Sequence, residues 1–350
     1  MVIGAHISGN DAEKSLLLFA LKKAIVLQPQ YKFVLFTNTV IKDLPNGFVQ
    51  INITPKVKNK LLLFYWYKYK LPKLFIKYNI TSFISNAGIL AIDVSINQHL
   101  FIENLDLFLP QKRFFKNNYM DAIINAKAIF VTDALLWNEF KKISATDQLQ
   151  QIHFNRNESA SSFSFEELET VKEKYTIGFD YYLFSVNTTS TPHIVTVLKA
   201  FSQLKKLQKT SLKLMLLFER EIDEKLLPDF KNYKYKNEIV LVKETIENCF
   251  LLKAASFAYV FLGDYSCKQN VYDSMQYNIP VIAADTNDNR LLFEHSVAYS
   301  SLTVEALAQQ LQNMYKDERF KRQQLYNAEQ FLANFDNQIN AQKFIDGISN

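Results

Sequence analysis

The chain has 350 residues, 48% of them hydrophobic and 21% charged, with a net charge of +5. That length exceeds one ordinary core and fits two domains, and the composition excludes a disordered protein. Lysines are interleaved with tyrosines instead of forming a stripe, which argues against a nucleic-acid partner, and two cysteines with no zinc spacing exclude a disulfide framework and point to a cytoplasmic setting.

Met1 leads straight into Val2-Ile3-Gly4-Ala5, so no signal peptide is expected, and no apolar run reaches membrane-spanning length. Only seven glycines occur, where average usage of about 7% would give roughly 25. The chain has no GxGxxG and no GxxxxGK[ST], so a nucleotide would have to be held without a glycine-rich phosphate loop.

In chain order, residues 2–7 read as a strand and 12–27 as an amphipathic helix, with Asn10 or Asp11 as its N-cap. Strands follow over 31–36 and 48–53. Residues 59–79 are basic and aromatic and are interrupted by Pro72. They read as a buried helix whose lysines snorkel, and peripheral contact with a membrane surface is the alternative. Strands are expected over 81–85, 99–102 and 128–131. A helix ends over 121–126, and Thr132 or Asp133 caps another that runs to Lys141. Residues 151–164 are polar and irregular, the approach to a linker. Ser164-Phe165-Glu166-Glu167 then forms a capping box opening a helix to Lys174. The rhythm restarts with strands over 182–186, 212–218 and 238–242, each followed by a helix, over 193–207, 222–230 and 246–255. Helices over 304–315, 319–334 and 338–348 close the chain.

The stretch 258–284 organises the second half. Its strand, loop, helix, strand pattern is a βαβ unit of a parallel sheet, and ligands bind such sheets at the carboxyl ends of the strands. Loop 264–270 is therefore the leading site candidate. Lys268 before the helix can grip a phosphate, and Asp264, Gln269 and Asn270 can bond sugar hydroxyls. The plain alternatives are a solvated lysine at 268 and a helix-surface acid at Asp273. His193 reads as a surface histidine, and His6 as either core or cleft. The run Asp285-Thr286-Asn287-Asp288-Asn289 lines the cleft or forms a polar turn. No metal site is expected, since that run lacks the glycine and glutamate of a calcium loop.

Several segments resemble the divergent family 4 (group 1) retaining glycosyltransferases of the GT-B fold. In the first half these are Lys70-Leu71-Pro72-Lys73-Leu74, the stretch from Ile102-Glu103-Asn104 to Pro110, and Ala126-Lys127-Ala128-Ile129-Phe130-Val131-Thr132. In the second half they are Tyr181-Tyr182-Leu183-Phe184-Ser185, Ser274-Met275, Ile279-Pro280-Val281-Ile282 and Val304-Glu305-Ala306-Leu307. The resemblance implies an α/β protein with two Rossmann-like doubly wound parallel-sheet domains facing a cleft, with C-terminal helices. Residues 1–165 would be the acceptor-side domain and 166–330 the donor-side domain, and 331–350 a helix packing back on the first. It implies transfer of a sugar from a nucleotide-sugar to a glycan or lipid-linked acceptor in polysaccharide biosynthesis. No metal or cofactor is implied, and the protein would be cytoplasmic, peripheral to the inner face of the membrane.

The motifs depart from the family in ways that bear on chemistry. The two cations that hold the donor diphosphate fall on Thr191 and Pro192. The Glu-x7-Glu pair falls on Tyr265 and Asp273, and the His-Asp pair on Glu103-Asn104. Of the N-terminal glycine loop only Gly9 remains. Asp273, Lys268, Gln269, Asn270, Asp264 and Gly9 are thus the expected donor-binding residues, and Glu103 is the one candidate for catalysis. A catalytically inactive GT-B subunit that binds or scaffolds is the alternative function.

Overall fold

The computed structural model describes residues 1–9, 12–54, 56, 59–104, 113–145, 147–154, 163–187, 190–218, 232–243, 245 and 248–349. The chain forms two compact units, one of residues 1–156 with 335–350 and one of residues 157–334.

The first unit is built on a seven-stranded, wholly parallel sheet in the order β3-β2-β1-β4-β5-β6-β7. The strands are β1 (Val2–Ile7), β2 (Lys32–Thr37), β3 (Phe48–Asn52), β4 (Ser82–Ser85), β5 (Asn97–Ile102), β6 (Ala128–Val131) and β7 (Leu149–Gln151). Helices α1 (Leu16–Leu27) and α13 (Asn337–Ser349) share one face of the sheet with Ile3, Leu35, Ile84 and Phe130. The other face carries α2 (Lys60–Tyr65), a π-helical turn (Trp66–Lys70) and α3 (Leu71–Lys77), packed on Val34, Phe36 and Phe83. Strands covered on both faces need unbroken apolar runs, which is why VIGAHI and KFVLFT do not alternate. Helices α4 (Arg113–Asn125) and α5 (Ala134–Lys141) complete the crossovers.

The second unit repeats the plan with six parallel strands in the order β10-β9-β8-β11-β12-β13. These are β8 (Tyr181–Val186), β9 (Lys213–Phe218), β10 (Ile239–Lys243), β11 (Ala258–Phe261), β12 (Val281–Ala284) and β13 (Ala298–Ser300). Its helices are α6 (Phe165–Thr176), α7 (Ile194–Gln208), α8 (Cys249–Ala254), α9 (Lys268–Gln276), α10 (Asn287–Phe293), α11 (Val304–Lys316) and α12 (Glu318–Leu332). Two strand tyrosines show how polar tips are accommodated inside. Tyr181 donates to Leu252 O (2.6 Å) in α8 and Tyr182 to Leu311 O (2.7 Å) in α11. Neighbouring residues of one strand thereby anchor different helices while leaving no hydroxyl unpaired.

The expected doubly wound α/β architecture is present twice. The Ser164 capping box is complete: Glu167 N donates to Ser164 Oγ (3.2 Å) and Ser164 N to Glu167 Oε2 (2.7 Å). Asp133 caps α5 through Leu136 N (2.9 Å). Other expectations are corrected. The helix expected over 12–27 splits into a 3-10 turn (Ala12–Lys14) and α1, capped by Ser15; Asn10 and Asp11 lie outside the described residues, as does the expected helix 222–230. The polar stretch opening at Gln151 supplies the end of β7, a three-residue edge strand too short to show alternation. Pro72 does not interrupt its segment. The π turn ahead of it moves the helix ladder to i−5, with Leu71 N bonded to Trp66 O, and this accommodates a residue that lacks an N–H and crowds the preceding turn. His6, read as either core or cleft, is core: its Nδ1 meets Tyr67 Oη at 2.7 Å, and Tyr67 Oη meets Ser85 Oγ at 2.6 Å.

Two predictions follow from this packing. Phe344 of α13 lies against Phe130 (5.0 Å between ring centroids) and Phe101 (6.0 Å). Gly347, one turn on, admits no Cβ, which would stand 2.6 Å from Phe130 Cζ. Phe344→Ala should cost the first unit about 3–5 kcal/mol in urea unfolding. The second concerns pH. Burial pushes His6 down to about 3, and burial with the Lys127 charge pushes His99 down to about 4. Unfolding returns both to about 6.5, where they take up protons. Their contribution is therefore complete above about pH 6.5 and is lost as the pH falls from there through the folded values. The unfolding free energy of the first unit, measured in urea, should fall between pH 7 and pH 5 by roughly 1–2 kcal/mol per histidine; a flat profile would contradict the buried neutral state.

Candidate functional site

Each sheet reverses its strand order beside its first strand, at β1/β4 and at β8/β11. Loops at the carboxyl ends of those strands are where a doubly wound sheet receives ligands.

In the first unit, β1 runs into Gly9, whose φ of +112° favours glycine. Ser8 N donates to Asn86 Oδ1 (2.7 Å) after β4, and Asn86 Nδ2 donates to Glu103 Oε1 (3.1 Å) after β5. The same carboxylate accepts from Ser15 Oγ (2.6 Å), Leu16 N (3.0 Å) and Leu17 N (3.3 Å). Glu103 thus supplies the negative charge at the N-terminus of α1, satisfying amides that have no partner within the helix. This geometry gives Glu103 a capping role.

In the second unit the loop after β8 closes without glycine. Asn187 N donates to Ser190 Oγ (2.9 Å), and Ser190 N donates back to Asn187 Oδ1 (2.9 Å). Ser190 Oγ donates to Ser185 O (2.7 Å), and Asn187 Nδ2 reaches Cys267 Sγ (2.9 Å). This fixes the start of the 3-10 turn Thr191–His193 beside β11. A pocket of about 320 Å³ opens there, at the carboxyl ends of β11 and β12. Its polar lining comes from His193, Asp264, Tyr265, Thr286, Asp288 and Asn289. Thr286 caps α10 through Asn289 N (3.2 Å), and Asn289 Nδ2 donates to Ala284 O (2.9 Å), so this wall is held by its own bonds.

The expected donor residues divide. Asp264 lines the pocket. Lys268 lies over the Tyr265 ring, 4.1 Å from its centroid. Gln269, Asn270 and Asp273 gather instead around Lys253 of α8. Its Nζ donates to Asn270 Oδ1 (2.7 Å) and pairs with Asp273 Oδ2 (3.3 Å), while Gln269 Nε2 donates to Asp273 Oδ1 (3.0 Å). Lys253 is 2% exposed and Asp273 4%, so this is a buried ion pair bracing α8 against α9. None of these three lines the pocket. Gly9 and Glu103 belong to the other unit.

From the sequence His193 reads as a surface histidine, and Lys253 carries no site signal. His193 follows directly on the two positions where the resemblance places cations, and that adjacency is the available signal. Lys253 stands in the apolar stretch 249–258, and a lysine there needs a buried partner. Among the described residues no group of three His, Cys, Asp or Glu side chains is placed to hold a metal. A half-open pocket with two carboxylates, a hydroxyl, an amide, an imidazole and an aromatic ring is suited to hydrogen-bonding a polyhydroxylated ligand.

The ion pair has a direct test. Lys253→Ala leaves the Asp273 carboxylate buried without its cation and should destabilise the second unit by about 3–5 kcal/mol. Replacing the pair together, Lys253→Met with Asp273→Leu, should recover most of that loss in urea unfolding.

No family model matches the sequence, and no curated protein matches it. Solved structures do match along the whole chain. A glycosyltransferase from Rickettsia africae is 13% identical, with a TM-score of 0.74 over 99% of this chain and 97% of that one. Anabaena HepE, in complex with UDP and glucose, is 11% identical, with a TM-score of 0.73 over 100% and 99%. The N-terminal domain of Candida albicans trehalose-6-phosphate phosphatase is 9% identical, with a TM-score of 0.68 over 99% and 96%. The fold is GT-B: two parallel sheets with flanking helices and C-terminal helices.

Proposed function

We propose that the protein is a glycosyltransferase of divergent family 4 type, which takes a sugar from a nucleotide-sugar and passes it to a glycan or lipid-linked acceptor. The observation that carries this reading is the pocket at the carboxyl ends of β11 and β12, with His193 in its lining one residue beyond the expected diphosphate-binding positions. Transfer with a nucleotide leaving group needs donors aimed at the departing diphosphate, and such electrostatic stabilisation is often the largest catalytic effect. In this reading His193 supplies a donor to the diphosphate, with Lys268 the nearest lysine in sequence on the Tyr265 side. Asp264 and Asp288 accept from sugar hydroxyls. Anabaena HepE, similar along its whole length, has been seen with UDP and glucose, which supports this choice of ligand.

One observation favours a second reading. Asp273, the carboxylate kept from the family's acidic pair, is bound to Lys253, and Tyr265 stands where the other carboxylate would be. A GT-B subunit that binds a sugar or nucleotide without turning it over fits those two positions. The Candida neighbour, the N-terminal domain of a phosphatase, shows that this fold also occurs within proteins named for another activity.

Thermal unfolding against nucleoside diphosphates and their sugars tests the pocket. A ligand that binds only the native state at 100 times its Kd adds about 2.7 kcal/mol, roughly a 5–11 °C shift for units of this size. The expected result is a shift selective for one nucleotide, abolished by His193→Ala and weakened by Asp264→Asn. A shift that survives both changes, or none with any nucleotide, rejects the pocket. A shift with no sugar transfer or donor hydrolysis selects the second reading.

A further inference from the structure

We infer that the pocket of the second unit selects donors whose sugar carries no carboxylate, with Asp264 and Asp288 as the residues that exclude uronic acids. The inference rests on the reading of that pocket as a nucleotide-sugar site and names the class of sugar it takes.

The lining is unbalanced in charge. Asp264 in the loop after β11 and Asp288 in the first turn of α10 bring two carboxylates to it. No lysine or arginine stands among its described lining residues, and His193 is the one side chain there that can take up a proton to become a cation. The charged neighbours do not redress this. Arg290 donates to Asp285 through Nε (2.5 Å) and Nη2 (2.8 Å), a bidentate pair in which each charge answers the other. Lys268 lies over the Tyr265 ring and is not part of the lining.

Hydrogen bonding points the same way. A sugar hydroxyl donates as well as accepts, whereas an ionised carboxylate only accepts. Asp264 and Asp288 offer acceptors. Asn289, the amide of the lining, commits its Nδ2 to Ala284 O (2.9 Å), and Thr286 Oγ accepts from Asn289 N (3.2 Å) at the head of α10. A neutral sugar therefore meets partners for its hydroxyl protons, while the carboxylate of a uronic acid meets two like charges and few donors. Like charges set against each other are a common means by which a site rejects the wrong ligand. The nucleoside diphosphate is the same in a donor and its uronate. Its own interaction with the two acids cancels in the comparison, and only the group at C6 remains. Both acids are exposed to solvent, so water and salt screen the repulsion and hold the discrimination to about tenfold.

The test is calorimetric titration of the full chain at neutral pH with two matched pairs, UDP-glucose against UDP-glucuronate and GDP-mannose against GDP-mannuronate, and with free UDP and GDP. The members of each pair differ only in the oxidation of C6. For the pair whose nucleotide binds, the neutral sugar should bind about tenfold more tightly than the uronate at low salt, and the gap should narrow as salt rises. Asp264→Asn with Asp288→Asn keeps both shapes and removes both charges, and it should bring the ratio towards one. A uronate that binds as tightly as its neutral partner, or a gap that the double change leaves intact, overturns the inference while the pocket reading stands. Failure of both free nucleotides and all four sugars to bind rejects the pocket reading itself, and the inference falls with it.

Discussion

Strands buried on both faces leave a parallel sheet one place to meet a ligand, the loops at the strand ends. Both units depend on how those loops are closed. Most such folds use glycine, which lets backbone amides approach a phosphate closely. With seven glycines in 350 residues, this chain closes its loops with side chains. Glu103 and Asn86 tie Ser8 to the start of α1, and Asn187 and Ser190 bond each other after β8. In loops built this way the amides of Ser8, Leu16, Leu17, Asn187 and Ser190 are already engaged by side chains. Ligand contacts must then come from side chains such as His193, Asp264 and Asp288.

The same economy explains the fate of the acidic pair. Asp273 keeps its place on α9, yet Lys253 has turned it into a brace between two helices. A buried ion pair adds little net stability but is expensive to break, so it fixes geometry more than it stabilises. The first unit uses buried histidines in a comparable way, held neutral between aromatic and hydroxyl partners.

Much of the architecture was legible in the sequence. Apolar runs of four to six residues marked β1, β8 and β11, and the capping box at Ser164 marked where the second unit's first helix begins. What escaped was either too short or too distant. Leu149–Gln151 has no room for a period. The π turn is an answer to Pro72 that only the packing of Trp66 and Tyr67 reveals. The Lys253–Asp273 pair joins residues on separate helices, and nothing in local spacing announces it. For the site, the loop after β11 and the run 285–289 after β12 were both marked from strand ends, whereas His193 becomes a neighbour of Asp264 only when β8 and β11 lie side by side.

The central claim is that the pocket of the second unit receives a nucleotide-sugar. Its most direct test is cross-linking with a photoreactive uridine diphosphate sugar, with the labelled peptide read by mass spectrometry. The account predicts label on peptides spanning 187–193, 262–268 or 284–290, suppressed by excess unlabelled nucleotide. Label that falls elsewhere, or that excess nucleotide leaves unchanged, would contradict it.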